Sequence, residues 1–260
     1  ANDAHTIGAV NQAVEKGLID ATLIGDEATI KKVCQEHKID VTKFRIVQEA
    51  DEVKATEKAV ELIKAGEGDI LMKGLVSTDK YMRAILSKDK GIMESSNSIL
   101  SHISVIETPN YHKLLIVADV AIIPLPDLKQ KIAITNYLIR TAKALQIDKP
   151  KVAILAVTEQ VLPGMQACVD AAIISKMADR GQIKGAFVDG PLALDVAIDK
   201  ESCEIKKLES PVAGDADCIL FPNIEAGNVF FKTNTKLCKA ELGAVVFGAK
   251  VPAVLTSRGD

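Results

Sequence analysis

Ten short apolar runs recur along the chain, and most of them carry no polar residue at alternate positions. They are "ATLIG" (21–25), "FRIVQ" (44–48), "DILMKG" (69–74), "ISVIE" (103–107), "LLIVADVAII" (114–123), "VAILAV" (152–157), "GAFVDGP" (185–191), "CILFPN" (218–223), "AVVFG" (244–248) and "PAVLTS" (252–257). A strand that is apolar on both faces has no side to give to water, so helices must cover it above and below, as in parallel sheets. Helical patterns fill the intervals. In "TEKAVELIKAG" (56–66), Thr56 is placed to cap and Gly66 to stop a helix; "QACVDAAIISKMADRG" (166–181) sets Val169, Ile173, Ile174 and Met177 on one face, with Gly181 past its end. Strand and helix alternate almost throughout, which is the pattern of an α/β fold.

With 260 residues the chain can form one large domain or two of ordinary size, and two are expected. The Ser-rich stretch 87–102 is the least regular, so the first crossing between domains is placed there, with the amphipathic segment 227–242 as the return. The expected domains are 1–100 plus 243–260, and 101–242. A chain that crosses out and back makes a cleft with two hinges, a common place for ligands. The first residues, "ANDAHTIGAVNQAVEKG", open directly in a helix with Ile7, Val10, Val14 and Leu18 in register, and the last run stops just after a strand. Both ends therefore read as clipped from a longer unit.

A net charge of −3 and 3% aromatic residues, with no Trp, supply neither the basic stripe nor the stacking platforms of a nucleic-acid binder. No apolar run is long enough to cross a bilayer. The five cysteines, Cys34, Cys168, Cys203, Cys218 and Cys238, form no C-x-x-C pair, and their odd count without a signal peptide suggests reduced thiols and a cytoplasmic location. None of the four histidines is spaced i, i+4 from another, so no metal site is expected. Dinucleotide, nucleophile-elbow and H-E-x-x-H signatures are absent, and "GAVVFGAK" (243–250) departs from a phosphate loop in having Ala249 where Lys should follow Gly248.

What remains is a set of polar residues at strand ends. In "DILMKGLVSTDKYMRAIL" (69–86) a buried strand delivers Lys73 and Gly74, a helix begins near Ser77 and Thr78, and Arg83 follows inside it. The free N–H groups of a helix start, two hydroxyls and two cations suit one anion; a plain helix cap with solvated charges would read the same way. His102 opens a strand and is as readily a satisfied structural residue. Asp189, in the turn-forming "VDGP", and Asp195 four residues beyond its Pro191 are further cleft candidates. In "SPVAGDADCILFPNIEAGNVFFK" (210–232) an apolar run ends on Asn223, Glu225, Gly227 and Asn228, which either bind a ligand or start a helix. "VLTSRGD" (254–260) places Ser257, Arg258 and Asp260 at a strand mouth, where open α/β sheets bind ligands.

Taken in order, "LMKGLVST", "LSHISVIE", "PDLKQK", "KMADRGQIKG", "VDGPLALD", "SPVAGDADCILFPNIEAGNVFFK" and "GAKVPAVLTSR" resemble the phosphate acetyl/butyryl transferase family, and its shorter phosphate butyryltransferase branch, over essentially the whole chain. The resemblance implies two α/β/α domains around a cleft in an isocitrate dehydrogenase-like fold, assembled as a homodimer or larger homo-oligomer. It implies the reversible conversion of acyl-CoA and phosphate to acyl phosphate and CoA, with CoA as a substrate, no permanently bound cofactor and no metal. It assigns to Ser257 and Arg258 the stabilisation of charge at the reacting centre, to Asp260 the place of a base, and to Arg83 an anion contact. Lys73, Gly74, Ser77 and Thr78 fall on the phosphate side. Asn223, Glu225, Gly227 and Asn228 shape the acyl phosphate side, with Asn228 also placed to cap the following helix. Asp260 lies two residues past Arg258, closer than the longer acetyltransferases hold their aspartate, and Lys73 replaces an uncharged residue of the acetyl branch. Branch similarity favours a four- or five-carbon acyl group. The family also begins with a strand before the first helix and continues past the SR step into a final helix. Other readings are a phosphate acetyltransferase, phosphate transfer to acyl groups on acyl carrier protein, and a CoA-binding protein without activity.

Overall fold

The computed structural model describes residues 1–255. The chain runs through α1 (Ala4–Glu15), β1 (Ala21–Gly25), α2 (Glu27–Glu36), β2 (Phe44–Gln48), α3 (Glu52–Lys64), β3 (Leu71–Met72) and α4 (Thr78–Leu86). It continues through β4 (Ser101–Glu107), β5 (Leu115–Ala118), α5 (Leu128–Ala144), β6 (Lys151–Leu155), α6 (Gln166–Asp179), β7 (Phe187–Leu192) and the short helices α7 (Leu194–Ile198) and α8 (Lys200–Ile205). Last come β8 (Cys218–Leu220), α9 (Ile224–Lys236), β9 (Glu241–Phe247) and β10 (Ala253–Val254). These elements divide into two compact units. One is Ala1–Ser98 with the stretch that starts at Gly248, and the other is Ile99–Phe247.

In the first unit β1 and β2 pair in parallel from Ala21↔Phe44 to Gly25↔Gln48, and β3 pairs in parallel with β10 through Leu71↔Ala253. Each helix starts where an acidic or hydroxyl side chain takes up a free N–H: Asp3 for α1, Asp26 for α2, Asp51 for α3 and Ser77 for α4. Ile7 and Val10 of α1 and Ile30 and Cys34 of α2 meet Leu23 and Phe44 in one buried cluster. The helix predicted from Thr56 begins a turn earlier. Thr56 lies inside α3 with its hydroxyl donating to the Glu52 carbonyl at 2.7 Å, and Asp51 performs the capping.

The second unit holds a sheet in the order β9-β4-β5-β8-β6-β7. β5, β8, β6 and β7 are parallel, whereas β4 is antiparallel to both β5 and β9. The sheet is therefore mixed where the apolar runs suggested parallel strands alone. Alternate residues feed opposite faces. Ile116, Ala118, Val152, Ile154 and Leu220 join Ile134 and Leu138 of α5 and Ile174 of α6 on one face. Leu115, Val117, Ala153, Leu155 and Ile219 join Val196 of α7 and Phe231 of α9 on the other. Each fully buried aliphatic side chain in these layers contributes about 1.5–3 kcal/mol of transfer free energy, which accounts for strands with no polar alternation.

Two readings of the sequence need correction here. The run 114–123 is not one strand: β5 stops at Ala118 because the Asp119 carboxylate accepts the following N–H groups and turns the chain. The amphipathic segment 227–242, expected as the return crossing, lies within the second unit. It holds most of α9 and the first residues of β9, which pairs with β4 from Glu241↔Glu107 to Phe247↔Ser101 and so keeps residues 243–247 with the second unit.

Candidate active site

The expected catalytic trio, Ser257, Arg258 and Asp260, lies outside the described residues. The other candidates fall into two groups, one in each unit.

In the first unit the loop from β3 to α4 gathers Lys73, Gly74, Ser77 and Thr78. Lys73 is 6% exposed, and its ammonium donates to the carbonyls of Gly74 at 2.9 Å and Val76 at 3.0 Å. A buried cation is tolerable only with such partners, and these fix the curl of the loop. Gly74 packs beside Thr6 and Asp3 of the α1 start, where a Cβ would still find ordinary contact distances. Ser77, not Thr78, caps α4, accepting from the Lys80 N–H at 3.4 Å. Arg83 stands apart from this group, on the exposed side of α4 in an i, i+4 ion pair with Asp79 at 3.0 Å. A cavity of about 1050 Å3 in this unit is lined by β1, by the stretch from Asp69 to Val76, and by residues of α1 and α3; Lys73 and Gly74 are among its walls. That volume is at the upper end of small-molecule sites.

In the second unit β5 and β8 run side by side with Ala118 opposite Leu220, so the turns that follow them are neighbours. Asn223 is the cap of α9, its side-chain oxygen accepting from the Ala226 N–H at 2.9 Å. Glu225 is exposed in the first turn, where a carboxylate complements the helix dipole. Gly227 is buried, and a Cβ there would lie 2.2 Å from the Asp119 carbonyl oxygen and 2.9 Å from the Phe221 ring, so only glycine permits this approach. Asn228, expected as a possible cap, instead sits inside α9 and donates from Nδ2 to the Val120 carbonyl at 3.0 Å. His102 joins the same end. It is 5% exposed, its backbone N–H donates to Asp119, its Nδ1 lies 3.2 Å from Ser104 Oγ, and its ring meets Phe231 edge-on.

Asp119 is the residue that sequence reading missed. It is 2% exposed, and its carboxylate accepts from the Ser101 hydroxyl and from four backbone N–H groups. The signal was an Asp breaking an apolar run that Ala118 had apparently not finished, ahead of Pro124. Asp189 and Asp195 do not join this group. Asp189 lies within β7 opposite Ala153 and accepts from the Gly190 N–H and the Ser175 hydroxyl. Asp195 pairs with Lys206, whose hydrogen bond lowers its carboxyl pKa.

The sheet also defines what this end can do. Turns after parallel strands expose backbone donors and carry side chains that can be replaced without disturbing the layers behind them. The second unit thus brings Asp119, His102 and the start of α9 to one end of its strands, and the first brings Lys73 to a loop with hydroxyls at a helix start.

The fold defines an α/β protein, and similarity narrows the class. Residues 47–260 match the family model for phosphate acetyl/butaryl transferase. A phosphate butyryltransferase from Clostridium acetobutylicum is 44% identical over 260 residues, covering 100% of this chain and 86% of that one. A phosphate acetyltransferase from Rhizobium meliloti is 40% identical over 258 residues, covering 99% and 81%. Among solved structures, a branched-chain phosphotransacylase from Enterococcus faecalis V583 superposes with a TM-score of 0.78 at 27% identity, over 93% of each chain. The chain belongs to the phosphate acetyl/butyryl transferase family.

Proposed function

We propose that this chain is an acyltransferase that interconverts a short-chain acyl-CoA and phosphate with acyl phosphate and CoA. The observation that carries the reading is 44% identity with a phosphate butyryltransferase over all of this chain and 86% of that one. The geometry is in keeping with it: the β3–α4 loop has the cation and hydroxyls that a phosphate needs, and the turn after β5 exposes the apolar side chain of Leu125.

In the direction of acyl-CoA formation, the CoA thiolate attacks the carbonyl carbon of the acyl phosphate. The new C–S bond forms, the C–O bond to phosphate breaks, and phosphate leaves with that electron pair. A free thiol titrates near pH 8.5, so a base or a nearby cation must favour the thiolate. Asp260 is the proposed base. Arg258 is proposed to hold the phosphate oxygens bidentately and to offset charge on the tetrahedral carbonyl oxygen, with Ser257 donating a hydrogen bond to the same centre. Lys73, Gly74, Ser77 and Thr78 are assigned to the phosphate, with Arg83 as an outer anion contact. Asn223, Glu225, Gly227 and Asn228 are assigned to the acyl side, with His102, Asp189 and Asp195 as further cleft residues.

With this activity we assign the isocitrate dehydrogenase-like arrangement of two α/β/α domains, a homo-oligomer of two or more chains, a cytoplasmic location and no permanently bound cofactor. No helix among the described residues is long and apolar enough to cross a membrane. A four- or five-carbon acyl group is the preferred substrate. Acetyl is the competing choice, favoured by the 40% identity with a phosphate acetyltransferase.

The test is to supply butyryl-CoA, isobutyryl-CoA and acetyl-CoA with phosphate and to follow thiol release. Butyryl or branched turnover above acetyl turnover is expected, and no turnover with any short acyl-CoA sinks the reading. Light scattering on the same sample checks the oligomer.

A further inference from the structure

The turn between β5 and α5 is held far more firmly than a connection requires. From within, Asp119 Oδ1 accepts from the N–H groups of Ala121 at 2.8 Å and Ile122 at 2.9 Å, and Oδ2 from those of Ile123 and His102 at 3.3 Å and from the Ser101 hydroxyl at 2.9 Å. From outside, α9 clamps the same turn. Asn228 donates to the Val120 carbonyl at 3.0 Å, the Ile224 N–H donates to the Pro124 carbonyl at 2.9 Å, and Gly227 lets the helix lie directly on the Asp119 carbonyl. Carboxylate hydrogen bonds to backbone N–H groups are the strong kind, and a buried network satisfied in this way has one geometry.

What the turn presents is apolar. Ile123 packs back onto the core, but Ile122 is only half-buried and Leu125 is 76% exposed. Both stand at the carboxyl ends of the parallel strands, beside the Asn223–Asn228 segment. A rigid apolar rim at that end has a use in an enzyme that must tell one acyl chain from another, since a wall that yields cannot measure length.

We propose that the turn from Asp119 to Leu125 is the acyl-chain gauge of this enzyme: Ile122 and Leu125 line the space for the third and later acyl carbons, and Asp119 and Asn228 act as positioning residues that keep this wall in place. The inference rests on the acyl-transfer reading above. It adds which residues set chain length and why the turn carries so many fixed hydrogen bonds.

The experiment compares kcat/KM for butyryl-CoA and acetyl-CoA, each with phosphate, in the wild type and in Ile122→Ala, Leu125→Ala, Asn228→Ala and Asp119→Asn. Losing three side-chain carbons from the wall should lower the butyryl-to-acetyl ratio about tenfold in Ile122→Ala or Leu125→Ala, the scale on which apolar pockets discriminate methylene groups. Asn228→Ala, which releases the Val120 carbonyl, should move the ratio the same way by about threefold. Leu125 is at the surface, so its variant remains informative even where Asp119→Asn fails to fold. A ratio unchanged in both wall variants, or a parallel loss for both substrates, overturns the gauge while leaving acyl transfer intact. Absence of turnover in the wild type overturns both.

Discussion

Lys131 of α5 and Asp170 of α6 form an ion pair of 2.7 Å, with side chains only 5% and 2% exposed. The second carboxylate oxygen accepts from Gln166 Nε2 at 2.7 Å, so neither oxygen is left without a donor. Such a pair fixes how the two helices lie against each other, and removing one member strands a charge.

Lys131→Met should therefore cost about 3–5 kcal/mol of stability, and Lys131→Met with Asp170→Leu should recover most of it, because two apolar residues leave no buried charge and the exposed Gln166 amide can turn to water. Urea denaturation of the single and double variants measures both.

Gly227→Ala places a methyl group where the Asp119 carbonyl already lies, 2.2 Å from the new carbon. Either α9 or the β5 turn has to retreat. Loss of about 1–3 kcal/mol is expected, the usual size for overpacking, with slowed turnover of butyryl-CoA in the protein that still folds. A melting temperature equal to that of the wild type would show that the helix does not press on the turn.

At the opposite, amino-terminal end of the strands, Asp215 accepts from Lys113, Lys151 and His112 at 2.8, 2.7 and 2.9 Å. Burial pushes its carboxyl pKa up, but the hydrogen bonds from Lys113, Lys151 and His112 outweigh it and hold the group well below the usual carboxylate range. A depressed pKa in the folded state contributes stability above the unfolded value, near pH 3.9, and loses it as pH falls below that value. Denaturation midpoints followed from pH 7 to pH 2 should decline in the acid limb, and Asp215→Asn should flatten that decline. An equally steep fall in the variant would assign the acid sensitivity elsewhere.

On the role proposed for Arg258, Arg258→Ala should lower kcat for acyl transfer by on the order of 100-fold or more, the usual cost of removing a donor to a developing oxyanion. Steady-state assay with butyryl-CoA and phosphate checks it. An unaltered kcat would remove Arg258 from the chemistry.

The strands and helices were legible because burial on both faces leaves a plain record: an unbroken apolar run such as 152–157 marks a sheet interior wherever it occurs. Antiparallel β4 was not legible, since "ISVIE" reads the same in either direction: it lies antiparallel both to β5, which follows closely, and to β9, more than a hundred residues away. The segment 223–228 was singled out by its odd composition, yet the contact each residue makes there was not legible. Asn223 and Asn228 are the same amino acid five positions apart, one capping its own helix and the other holding a loop from a distant part of the chain, and no local rule separates them. Asp119 was hidden for the opposite reason. Its five donors come mainly from backbone amides, which every residue has, so nothing in the letters around it announces the network.

The Lys113, Lys151, Asp215 and Asp217 cluster has an evolutionary consequence. Asp217 bonds to Lys113 at 2.8 Å and to the Lys151 N–H at 2.7 Å, which ties the starts of β6 and β8 to the segment before β5. The strands are thus anchored at one pole by charge, while the turns at the other pole stay open to replacement. A lineage can rewrite Ile122 or Leu125 to suit a new acyl chain with the register of the sheet already secured at its far end, so change of substrate and loss of fold become separable events.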